Sequence, residues 1–390
     1  NIPGAGSSSV TATTLPGGDE IPLIHERRRR RRPVLWLSAA AVAAGVVVAA
    51  GILISGGHSG GQSAAPVPLP TTQFTLPFTV DPSADVQLVG ALAADPYEQY
   101  VELADTTHHL VLIVDTSGVT DYDGTGLQQV DINGATGYYG VGATGSQKQW
   151  GRRQELTSQF EATLALPTPA CGPGSCGNVS YGQGERHLVW HVTSPLLPRG
   201  AYLELTTAGL PMPGNAMPEA EFLAAARALD FTQTSVIRIP FSLAHAPAGT
   251  VLVGGGSSYY GREETVDEGD HLAPNWVPVA GGADWDADMS YAPPAGGVLD
   301  IDVTSVDRSQ DHSHPVQVGP SSGYWEPSAG RLTVKLRDGV YVTVQAIMGV
   351  KPDSSVTETN LASVVSLVTV IDNPSDRSTW LNAADALPIG

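Results

Sequence analysis

The sequence predicts an α+β protein: one transmembrane helix followed by two similar domains, each an antiparallel sheet with a helix packed on one side, the product of an internal duplication. Three observations predict it. An uncharged run, Val34 to Ile54, follows a block of six arginines, Arg27 to Arg32. Beyond that run, short segments recur in the same order in the two halves of the chain. Finally, 44 Gly and 30 Pro among 390 residues exceed the usual roughly 12%, which favours many turns between short strands over long helices.

The elements follow in order. Residues 1–32 read as a disordered cytoplasmic segment, rich in Gly, Ser, Thr and Pro up to residue 24 and closed by the Arg-rich flank. The first residue is Asn, and an output domain is expected upstream of it. Within 33–55, Val34 to Ile54 (VLWLSAAAVAAGVVVAAGILI) spans about 31 Å as a helix, matching the hydrocarbon core of a bilayer. A secretory signal has a shorter apolar region, although the small residues after Ile54 leave room for a peptidase. Arginine on one flank places the N-terminus in the cytoplasm and the C-terminal mass outside. The expectation is therefore a single-pass protein of the cell membrane, with the lipid bilayer as partner through residues 34–54 and an extracytoplasmic part in a bacterial cell envelope. Residues 56–72 form a Gly/Ser/Pro-rich stalk.

Beyond the span, 14 basic residues face 36 acidic ones, a net charge of −22. That excess keeps an outer domain soluble and repels anionic headgroups. It also argues against a nucleic-acid partner, because neutralising phosphates needs clustered Lys and Arg.

The duplication rests on paired segments. Pro77-Phe78-Thr79-Val80 recurs as Pro240-Phe241-Ser242-Leu243, and Leu88-Val89-Gly90 as Leu252-Val253-Gly254. Val111 to Asp115 matches Val298 to Asp302, and Gly137-Tyr138-Tyr139 matches Gly323-Tyr324-Trp325. His187 to Trp190 matches Arg331 to Val334, and Tyr202 to Leu205 matches Tyr341 to Val344. The changing offsets require insertions near 142–186 in the first copy and near 255–290 in the second. The reading is extracytoplasmic repeat 1 at 73–232, repeat 2 at 233–375 and a C-terminal tail at 376–390. Alternating apolar runs such as Leu110 to Val114, Leu188 to Val192, Leu332 to Leu336 and Tyr341 to Val344 have the period of strands. Pro218 opens a helix carrying Phe222, Leu223, Ala226 and Leu229 on one face. In Asn360 to Ile371, β-branched residues leave helix and strand unseparated.

Little here points to catalysis, and no catalytic residue, cofactor or metal ligand is assigned. Gly319-Pro320-Ser321-Ser322-Gly323 fits the GxSxG pattern of a serine hydrolase, whose nucleophile must sit on a sharp strand-to-helix turn. Tyr324-Trp325-Glu326-Pro327 does not open a helix, and a Gly-rich hairpin turn explains the match better. The acidic residues between 263 and 288, ending in Asp284, Asp286 and Asp288, read as a solvated acidic loop, because Met289 stands where a calcium loop needs Gly. His312 and His314 flank Ser313 as zinc ligands can, without a third partner nearby. The vicinal His108 and His109 face opposite sides of a strand. Cys171 and Cys176 enclose four residues in CGPGSC and read as a local disulfide worth about 2 kcal/mol. Tyr138, Tyr139, Trp190, Tyr324 and Trp325 are candidates for a ligand groove between sheet and helix, for an apolar or amphipathic ligand.

An Arg-rich flank, an Ala/Val-rich span, a Pro-rich stalk and a module reading NGATGYY, HLVWHV, YLELTTAGL and EFLAAARAL together resemble actinobacterial single-pass membrane proteins. Their outer modules are similar to those of membrane-anchored anti-sigma factors and to the lipoprotein-carrier-like (LolA/RseB-like) fold. The likeness covers residues 130–231 best. It implies a binding or sensing role toward an unknown envelope ligand or protein, with signalling to a cytoplasmic partner. The alternatives are an envelope structural or lipid-carrier protein and, third, an anchored hydrolase.

Overall fold

Period-two alternation governs how this chain folds. In Asp284–Ala292, Trp285, Ala287, Met289 and Tyr291 turn to the core, while Asp284, Asp286, Asp288 and Ser290 take the other face. A computed structural model describes residues 68–116, 126–142, 185–207 and 217–389, apart from 261, 268–271, 278–283, 294–296, 308, 310–311, 349–350 and 353–355. The principal strands are β1 (Gln87–Asp95), β2 (Glu98–Ala104), β3 (His109–Asp115), β4 (Gln128–Ile132), β5 (Ala135–Val141), β6 (Arg186–His191) and β7 (Tyr202–Thr207). They continue with β8 (Val251–Tyr260), β9 (Asp284–Ala292), β10 (Val298–Thr304), β11 (Pro315–Val318), β12 (Ser321–Glu326), β13 (Arg331–Arg337) and β14 (Val340–Met348). Helix α1 (Glu219–Arg227) falls between β7 and β8, and α2 (Glu358–Val365) and the short α3 (Ala383–Ala386) follow β14.

These strands form one antiparallel sheet in the order β11-β12-β13-β14-β10-β9-β8-β1-β2-β3-β7-β6-β5-β4, with Lys351–Pro352 pairing to β14 off that path. Outward from the central β8–β1 pair, the two sides are wired alike: first, second, third, seventh, sixth, fifth and fourth strand of each half. The pair itself runs Gly255↔Ala93, Gly256↔Leu92, Ser257↔Ala91 and Ser258↔Gly90. A Cβ on Gly256 would collide with the Ala91 carbonyl oxygen and Leu92 Cα, so glycine is needed there for the strands to close.

One face of the sheet carries a single core that runs through both halves, from Leu76, Val101 and Leu203 to Leu252, Trp285, Leu332 and Val344. Both long helices lie against it, with Phe222 of α1 6.0 Å from the Tyr139 ring and Leu361, Val364 and Val365 of α2 buried. Short two-strand pairings stitch the connectors over this face. Thr75–Leu76 pairs with Ser235–Val236, Thr79–Val80 with Leu229–Asp230, Arg238–Ile239 with Leu381–Asn382, and Phe241–Leu243 with Val368–Val370. The stretch from Asp376, read from sequence as a tail, adds buried Trp380, Ala383, Ala386 and Leu387. Leu69, in the expected stalk, is also buried, and its N–H donates to the Leu252 carbonyl at 2.7 Å.

Three expectations are corrected. The fold is mostly β rather than α+β, and the described residues carry no clear duplication into two domains. Pairing β1 with β8 consumes two open edges at once, so one sheet and one core replace two. The membrane, single-pass and transmembrane reading, with its localisation, is also set aside. Among the described residues no helix is long and apolar enough to cross a membrane: α1 has nine residues and α2 eight, where a span needs about 20. Residues 34–54 lie outside the described residues.

Candidate functional site

The turn from β2 to β3 is shaped by Asp105. Its Oδ1 accepts from the N–H groups of Thr107 and His108, both at 2.5 Å, in the manner of an Asx turn. Its Oδ2 lies 2.9 Å from His108 Nδ1. Burial pushes the Asp105 carboxyl up, but these hydrogen bonds from His108 and Thr107 outweigh it and hold the group below its ordinary value. The first turn of α1 lies over this turn and brings an exposed carboxylate, Glu221, with it. One donor atom from each of Asp105, His108 and Glu221 lies within 4.8 Å of the others. Imidazole nitrogen and two carboxylate oxygens form a donor set that divalent ions accept.

A second polar group sits at the centre of the sheet. Ser258 on β8 donates to Glu102 Oε2 on β2, across the intervening β1. Gly90 of β1 makes this possible, since a Cβ there would run into both Ser258 Oγ and Glu102 Oε2. His109 Nε2 stands 3.8 Å from Glu102 Oε1. Burial pushes His109 down to about 4, so its imidazole is neutral at neutral pH. Serine, carboxylate and histidine are present, but the carboxylate stands in the middle, and the histidine does not reach the hydroxyl as a general base must.

The other sequence candidates are dispersed. Tyr139 and Trp190 belong to the buried core, and Trp325 packs against it half-buried. Alternation turns Tyr138 and Tyr324 to the opposite face, where Tyr324 stacks on exposed His312 with centroids 4.2 Å apart. Tyr138 is on β5 and Tyr324 on β12, near opposite edges of the sheet. The five aromatics are therefore not gathered into one groove. Ser321 opens β12 opposite Val318, after a two-residue turn in which Gly319 takes φ +58°, so it stands in a hairpin and not at a strand-to-helix turn. Ser309 Oγ lies 2.6 Å from His312 Nε2, and Ser313 Oγ lies 2.8 Å from His314 Nδ1. The expected acidic loop is a hairpin, Arg262–Asp267 with Leu272–Val277, followed by β9. Cys171 and Cys176 lie outside the described residues.

Sequence reasoning passed over the Asp105, His108 and Glu221 group. The spacing Asp-Thr-Thr-His held a signal, an acidic turn residue three positions before a histidine, but Glu221 is remote in sequence and only folding brings it near. No protein-family model, curated protein or solved structure matches the chain.

Proposed function

We propose that this chain is a binding or sensing protein and not an enzyme. One observation supports this above the rest: among the described residues, polar side chains on the sheet's second face bridge strands at points well apart along the sheet. Ser258 donates to Glu102 over Gly90, Ser290 to Asp300 at 2.6 Å, and Arg331 to Glu326 at 2.6 Å. An active site instead brings nucleophile, base and oxyanion donor to one point about 3 Å from each. Here the pairs are strung out along the sheet. The accessible group that does converge, Asp105, His108 and Glu221, joins a helix to a turn of the sheet, so occupancy there bears on how α1 is held. The resemblance of residues 130–231 to anti-sigma-factor and LolA/RseB-like outer modules adds to the same reading.

The test is turnover by the full chain on p-nitrophenyl esters and on an unstructured peptide. The expected rate equals that of buffer and is unchanged in Ser321→Ala. Hydrolysis that falls by about tenfold or more in Ser321→Ala would overturn the proposal.

A further inference from the structure

We infer that Asp105, His108 and Glu221 form a binding site for a divalent transition-metal ion of the zinc type, which ties α1 to the β2–β3 turn. The inference rests on reading the chain as a binding protein and names the ligand class of that group. The needs of the turn account for Asp105 and His108 on their own, through the Asx hydrogen bonds and the Oδ2 to Nδ1 contact. They do not account for Glu221. It comes from a separate element, and among the described residues its carboxylate makes no hydrogen bond or ion pair. Two carboxylates thus converge on a single imidazole, with donor atoms within 4.8 Å. Their repulsion is relieved by a cation placed among them.

The donor set selects the class of ion. An imidazole nitrogen disfavours calcium and magnesium, which take oxygen, and suits zinc and its neighbours. Three protein ligands leave a coordination position for water. Access is open, because Glu221 is exposed and the side chains of Asp105 and His108 keep 17% of their surface.

The experiment is a titration of the chelator-stripped full chain with ZnCl2 in competition with a chromophoric chelator, followed by the visible spectrum with CoCl2. Wild type is expected to bind zinc at this site and to show a cobalt ligand-field band. Glu221→Gln and His108→Gln should each weaken zinc by at least about tenfold and abolish the band, with the apo melting temperature unchanged in Glu221→Gln. The pair His312→Gln with His314→Gln should leave affinity as it was, and MgCl2 or CaCl2 should not compete. Wild-type affinity and spectrum in Glu221→Gln would overturn the inference, as would no zinc uptake by wild type. Ester turnover appearing only with zinc would keep the site and overturn the non-enzymatic reading; absent turnover with absent zinc binding would overturn the site alone.

Discussion

His109 shows how one residue's surroundings set its chemistry. Its imidazole is pushed down to about 4 from 6.5 by burial beside Glu102. The unfolded chain therefore takes up a proton at a pH where the folded chain refuses it. The stability this gives is full above pH 6.5, is lost as pH falls through about 4, and amounts to about 3 kcal/mol. In His109→Gln, the urea midpoint should fall less steeply than in wild type between those two values. Parallel pH curves for the two proteins would contradict the assignment. The alternation expected of His108 and His109 does not apply, because β3 begins at His109 and His108 stands in the turn before it. That His108 meets Glu221 was not legible, because nothing local brings residue 221 to the turn.

Among the elements, the strands were the legible part. Leu110 to Val114, Leu332 to Leu336 and Tyr341 to Val344 all fall on strands, and Leu188 to Val192 does so as far as His191, since burial on one face imposes period two. The run Asn360 to Ile371 stayed ambiguous for a physical reason: it is both. Helix α2 ends at Val365, and Val368–Val370 then pairs with Phe241–Leu243. A capping box, in which Thr357 Oγ1 accepts from the Asn360 N–H and the Asn360 side chain accepts from the Thr357 N–H, fixes where the helix starts. Thr357→Ala should cost about 1 kcal/mol in urea unfolding. A loss of nothing measurable would mean that packing of Leu361, Val364 and Val365 alone sets that boundary. The acidic residues near Asp286 misled the reading because composition was weighed over alternation; DWDADMSYA is a strand pattern with carboxylates on one face.

For the whole molecule, the deciding contact is the β8–β1 ladder. It turns two similarly wired halves into one sheet over one core. The C-terminal stretch closes that core at the join. Trp380 stacks on Tyr259 at 4.9 Å and meets Trp285 edge-on at 6.2 Å, while the Arg377 guanidinium sits 5.3 Å from the Tyr259 ring. Burial pushes the Tyr259 hydroxyl up to about 12, against the pull of Arg377. Trp380→Ala should cost about 3–5 kcal/mol and lower one unfolding transition seen by circular dichroism. Two separated transitions, in wild type or variant, would show that the halves fold independently and that the shared core counts for little.

The sequence by itself determined the strands with clear apolar alternation, such as Leu110 to Val114 and Tyr341 to Val344, and the hairpin turn at Gly319, because alternation, Gly placement and β-branching act over a few residues. The tertiary structure alone decided that the halves share a sheet, that Gly90 lets Ser258 reach Glu102, that residues after Asp376 belong to the core, and that Glu221 joins Asp105 and His108. Each of these brings together residues far apart in the chain, and such pairings are chosen by which edges and apolar surfaces remain to be covered once the local elements have formed.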